Sequence, residues 1–124
     1  MSSTPSPKSD FIIPTTTFWQ DLIPAGDPKA VQAAPYRYGY PALMPDKRAL
    51  LLPLRKLPEG DRAVASLIAN QASFSVISAL TDAMADIAKS INPDQIVGLP
   101  TLGLAFAPMI AEKLGHSHFI PLGS

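Results

Sequence analysis

Across "SFSVISALTDAMADIAKS" the apolar residues Val76, Ile77, Leu80, Met84, Ile87 and Ile91 recur at intervals of three and four, with Asp82, Asp86 and Lys89 between them. That is the period of an α-helix with one buried stripe and one wet face. Asp61 has the chemistry of an N-cap, so the helical pattern is read as beginning with "RAVASLIAN" and continuing with at most a brief interruption. Asn92 and Pro93 end it. "QIVGL" then supplies a short apolar run rich in β-branched residues and bounded by a turn, the pattern of a buried parallel strand. After the loop "LPTLG", helical spacing resumes from about Leu104 to Leu114, Gly115 provides a turn, and "HFIPL" reads as a strand. Alternation of this kind predicts an α/β unit with a parallel sheet.

The first half of the chain follows other rules. Most of the 14 prolines lie at or before Pro58. Proline lacks a backbone donor and disfavours helix in the residue before it, so this half is expected to hold loops and short edge strands. "YRYGYPALMPDKRALLLPLRKLP" predicts two strands, around Arg37 to Leu43 and Ala49 to Leu54, joined by a turn at Pro45, Asp46 and Lys47. Pro41 and Pro53 mark both as edge or bulged strands, and the pair has the form of a flap over a pocket. Upstream, Phe18 and Trp19 anchor an N-terminal arm on the core, while residues 1–10 are Ser, Thr and Pro with little to bury and are expected to be disordered.

Composition narrows the function. A chain of 124 residues holds at most one domain with a modest core. Ten basic and ten acidic residues cancel and are scattered, which argues against a nucleic-acid partner. The absence of Cys excludes a disulfide scaffold, a thiolate zinc site and a cysteine nucleophile. No apolar run approaches the roughly 20 residues of a membrane span, and the N-terminus carries no leader pattern, so a cytoplasmic protein is expected.

The loop between Gly98 and Gly103 sits beyond the carboxyl end of a predicted parallel strand, where open α/β sheets bind ligands and where free backbone donors suit an anion. Its spacing matches the start of the P-loop, G-x-x-x-x-G. A P-loop continues with Lys and Ser or Thr, whereas Leu104 and Ala105 follow here, so either a phosphate loop of another kind or a plain turn remains.

Taken whole, "DQIVGLPTLGLAFAPMIAEKLGHSHFIPL" resembles the corresponding part of type I phosphoribosyltransferases, the adenine branch above all, through Val97, Gly98, Gly103, Ala105, Phe106, Ala111, Leu114 and Gly115. The resemblance covers about residues 60–124 and implies the first part of a three-layer parallel-sheet core, with residues 11–58 in the place of an amino-terminal arm and hood. It also implies phosphoribosyl transfer from phosphoribosyl pyrophosphate to a nucleobase, a pentosyl transfer of purine salvage, with substrate-bound Mg2+ and a possible homodimer. Leu99, Pro100, Thr101, Leu102 and Gly103 take the role of the pyrophosphate loop, and Tyr38 and Tyr40 that of the base pocket or hood. Pro100, Thr101 and Leu102 stand where the adenine enzymes carry an acid, a small residue and Arg, which leaves the loop's binding to backbone donors and Thr101. The family's strand ending in two adjacent acids and a Thr-Gly turn has no counterpart, so the chain is expected to be the amino-terminal part of a longer protein, inactive alone as a transferase. A non-catalytic member of the fold that binds the same donor or a nucleotide is the alternative.

Remaining polar groups have plainer readings. His116 and His118 form an H-x-H that suits a polar turn better than a metal, for which only Glu112 is nearby. Asp82 and Asp86 fall on the wet helix face, and Arg55 and Lys56 on a solvated strand end. No residue stands out as a general acid or base.

Overall fold

The structure, a computed structural model, describes residues 18–36 and 39–123. The chain divides into two compact units, Met1–Leu67 and Ile68–Ser124. It is a mixed α/β protein with a three-stranded antiparallel sheet in the first unit and a two-stranded parallel sheet in the second.

In the first unit β1 (Gly39–Leu43), β2 (Ala49–Lys56) and β3 (Ala63–Ala65) lie in that order. The β1–β2 turn forms as expected: Met44 N donates to Arg48 O at 2.7 Å, and Lys47 takes the left-handed conformation (φ 71°). Asp46 accepts from Arg48 N at 3.0 Å, and this bond, with Arg48's side chain, lowers the Asp46 pKa below its ordinary value. Ala49 exchanges both backbone bonds with Ile23 (2.7 and 3.0 Å), on the side of β2 away from β1. Backbone groups alternate sides along a strand, so Pro53 aims its missing donor that way too, and its ladder neighbours lose nothing. Pro41, opposite Leu51, likewise turns its nitrogen outward from β1.

The expectation that both strands are edge or bulged strands is therefore corrected for β2, which is central and pairs with β1 in unbroken register. It tolerates Pro53 because β3 pairs only with Leu54–Lys56. The helix predicted from Asp61 does not form either. Leu57 N donates to Arg62 O at 2.9 Å and Gly60 is left-handed (φ 76°), so residues 63–65 fold back on β2 as β3. A short helix bears a nucleation cost that a strand added to an existing ladder does not. Phe18 and Trp19 are buried anchors, as the sequence implies. The Trp19 indole N–H donates to Ser66 O at 3.2 Å.

The second unit holds α1 (Phe74–Ile91), β4 (Val97–Gly98), α2 (Ala107–Lys113) and β5 (Ile120–Pro121). Ser73 caps α1, its hydroxyl accepting from Val76 N at 3.3 Å, and Asn92 ends it in the left-handed region (φ 52°). Gly115 (φ 84°) closes α2 with His116 N on Ala111 O and Gly115 N on Glu112 O, a Schellman pattern. The predicted order of helix, strand, loop, helix and parallel strand is present, with Val97 opposite Ile120 and Gly98 opposite Pro121.

Burial departs from the predicted stripe. Val76 and Ile77 are buried, but they are joined by Ala79, Thr81 and Ala85, while Ile87 and Ile91 are 62% and 70% exposed. The reason is length. At 1.5 Å per residue α1 runs about 27 Å and α2 about 10 Å, so α2 cannot cover the whole of α1. The two helices are in contact, Thr81 Oγ1 lying 3.9 Å from Met109 Sδ, and Ala107 and Ala111 of α2 are buried too. Thr81 is satisfied by donating to Ile77 O at 2.7 Å. The strand expected to be buried is also open: Val97 is 49% exposed, and Ile120 and Leu122 are exposed as well. Two strands and one short helix leave much of the sheet uncovered. Among the described residues no helix is long and apolar enough to cross a membrane.

Candidate functional site

β4 delivers the chain at Gly98 into the loop Leu99, Pro100, Thr101, Leu102 and Gly103, at the carboxyl end of the parallel pair. The first four of these residues are exposed and Gly103 is half-buried. The helix expected from Leu104 begins later. Residues Leu102–Ala105 form a 3-10 turn, and α2 starts at Ala107, with Pro108 in its first turn where a missing N–H costs nothing.

This geometry sets the loop's hydrogen-bonding capacity. Leu104 N donates to Thr101 O at 3.3 Å and Phe106 N to Gly103 O at 3.2 Å, which holds the turn. The amides of Thr101, Leu102 and Gly103 precede the first such bond and have no carbonyl one turn back. None of the three donates to a backbone carbonyl elsewhere among the described residues. The Pro100–Thr101 peptide is cis. The loop thus offers three backbone amides that donate to no backbone carbonyl among the described residues, with the Thr101 hydroxyl beside them and no charged side chain. An arrangement of this kind hydrogen-bonds an oxyanion through neutral donors.

The loop is held from behind at Gly98. A Cβ placed there would lie 2.9 Å from Ala107 Cβ, 3.0 Å from Leu104 Cδ2 and 3.4 Å from Phe119 Cε2. Gly103 is different: its nearest such neighbours are at 3.6 and 3.8 Å, and its φ is not positive.

Of the two tyrosines expected in a base pocket or hood, Tyr38 lies outside the described residues. Tyr40, in the first unit, packs edge-on against Tyr36 with centroids 5.0 Å apart. Both line a groove of about 420 Å3 with Val31, Pro41 and Leu43. Tyr40 is thus packed on a neighbouring ring while remaining exposed at the groove.

A second feature was only half visible in the sequence. Asp94, Gln95, His116, Ser117, His118, Phe119 and Ile120 line a cavity of about 270 Å3 beside the amino ends of β4 and β5, opposite the loop. The H-x-H pattern marks two of these residues, but Asp94 and Gln95 join them only through the parallel pairing. Ser117 Oγ and His118 Nδ1 are 3.0 Å apart. Among the described residues no three His, Asp or Glu side chains gather to hold a metal.

Asp82 and Asp86 are exposed as expected, but Asp82 is engaged. Its carboxylate lies 2.6 Å from Lys113 Nζ, joining α1 to α2. That hydrogen bond and attraction raise the Lys113 pKa above its ordinary value.

No protein-family model, curated protein or solved structure matches this chain.

Proposed function

We propose that this chain is a phosphoribosyltransferase-like protein that binds phosphoribosyl pyrophosphate through Leu99, Pro100, Thr101, Leu102 and Gly103. The observation that supports the reading is the exposed loop at the carboxyl end of β4, whose Thr101, Leu102 and Gly103 amides donate to no backbone carbonyl among the described residues, in the segment that resembles the type I family. In the proposed chemistry, phosphoribose passes from the pyrophosphate donor to a ring nitrogen of a purine-type base. Negative charge grows on the departing pyrophosphate, and donors fixed in advance stabilise it without reorganising. The amides of Thr101, Leu102 and Gly103 and the Thr101 hydroxyl take that task. Within the first unit, Tyr40 and Tyr36 line a groove of their own and are the aromatic side chains that the hood reading assigns to a base.

The loop supplies magnesium no carboxylate, and no metal cluster gathers among the described residues. In this reading the ion comes with the donor's phosphates, as magnesium prefers, and no step is assigned to it.

The second reading is a non-catalytic binder of the same donor. It is favoured by the loop's lack of charge at Leu102. Calorimetric titration of the chain with phosphoribosyl pyrophosphate and Mg2+, followed by an assay of adenine consumption, separates the possibilities. Saturable binding without base consumption is expected of these 124 residues alone. Turnover would contradict the assignment of the acid pair as a missing requirement, and absence of binding would overturn the proposal.

A further inference from the structure

We propose that Gly98 is a positioning residue, its missing side chain setting how closely α2 approaches β4 and thereby where the amides of Thr101, Leu102 and Gly103 are held. The inference rests on the reading of that loop as a pyrophosphate binder.

Gly98 does not owe its identity to backbone conformation, since its φ lies outside the left-handed region. Its constraint is space. It is buried, its carbonyl accepts from Leu122 N at 3.0 Å, and it is paired with Pro121 in the sheet, so it cannot withdraw without breaking the parallel pair. On its open side three segments converge: the 3-10 turn through Leu104, the start of α2 through Ala107, and the approach to β5 through Phe119.

These neighbours differ in how they yield. The Leu104 contact at 3.0 Å involves the tip of a flexible side chain, which rotates away. The Ala107 contact at 2.9 Å involves a Cβ fixed to the helix backbone. Ordinary carbon contacts are about 3.5–4.0 Å, so a methyl group at Gly98 drives the first turn of α2 outward by up to about 1 Å. The loop is tied to both partners. It leaves β4 at Leu99 and enters α2 through the turn that Leu104 N and Phe106 N close. A change in the spacing of β4 and α2 is therefore passed to the donors between them.

The test uses the whole chain, Gly98→Ala, and the double variant Gly98→Ala with Ala107→Gly, each titrated with inorganic pyrophosphate by calorimetry. Hydrogen exchange of the Leu104 and Phe106 amides, whose bonds close the turn that carries the loop, is followed in parallel. Wild type is expected to bind. Gly98→Ala is expected to bind about tenfold to a hundredfold more weakly, the order an ångström of misplacement produces, with faster exchange at the Leu104 and Phe106 amides. The double variant, which removes the opposing Cβ, is expected to regain most of the lost affinity and protection. If Gly98→Ala does not fold, the double variant decides alone, by binding within about tenfold of wild type or failing to. Wild type binding with Gly98→Ala unchanged, or a folded double variant without recovery, overturns the role of Gly98. Failure of wild type itself to bind overturns the loop reading, and the role with it.

Discussion

Trp19 shows how much one residue carries in a small unit. Its ring is 1% exposed, its indole donor is satisfied by Ser66 O, and its backbone sits in the left-handed region (φ 61°). Packing therefore outweighs a local conformational cost of about 1–3 kcal/mol. Trp19→Ala is expected to destabilise the first unit by about 3–5 kcal/mol, the usual range for removing a buried aromatic. Denaturant melts of wild type and variant by circular dichroism check this, and a loss below about 1 kcal/mol would show that the ring is not an anchor. Two glycines make a complementary comparison. Gly115→Ala forces a side chain into φ 84° and is expected to cost about 1 kcal/mol, whereas Gly103→Ala meets nothing closer than 3.6 Å and is expected to leave stability unchanged. Equal melting temperatures for the two variants would contradict that distinction.

At the scale of elements, the contact between α1 and α2 includes the exposed ion pair of Asp82 and Lys113. Lys113 has its pKa raised by Asp82, so the pair's contribution is fully present below the ordinary lysine pKa and is lost as pH rises through the higher folded-state value. The stability difference between wild type and Lys113→Met should therefore be constant around neutrality, shrink at strongly alkaline pH, and shrink with added salt. A difference that persists unchanged through the alkaline range would assign it to packing of the lysine stem instead. The cap of α1 gives a further check, since Ser73→Ala removes the bond to Val76 N and is expected to cost about 0.5–2 kcal/mol in thermal or chemical melts.

Elements with local signals were the legible ones. Ser73 to Ile91 has a strong helical period and a stop at Asn92 and Pro93, and the turn around Asp46 carries its own chemistry. The segment after Asp61 misled because Ala-rich "RAVAS" suits a helix locally, while the Pro58–Gly60 turn that folds it onto β2 acts through non-local pairing. The buried stripe misled for a similar reason. Periodicity gives the apolar face of α1, but the length of α2, which decides how far Ile87 and Ile91 are covered, is a property of another segment.

For the molecule as a whole, the β1–β2 hairpin and the parallel pairing of β4 and β5 around a loop and helix are the parts of the predicted architecture that are present. The loop's place at the strand's carboxyl end followed from its position between an apolar run and a helical period. That its donors lie on a 3-10 turn, and that Gly98 rather than Gly103 is under steric constraint, depended on three-dimensional approach distances that no spacing encodes. Tyr40 was marked by the family resemblance as a base-pocket or hood residue, but its packing on Tyr36 and their groove depend on three-dimensional approach.

The central claim is that the neutral donors of residues 99–103 bind pyrophosphate. Its most direct test is an amide-resolved NMR titration of the chain with inorganic pyrophosphate, with and without Mg2+. Saturable shifts concentrated at Thr101, Leu102 and Gly103, reproduced by phosphoribosyl pyrophosphate, are the predicted result. A loop whose amides do not move while either ligand is taken to millimolar excess would contradict the account.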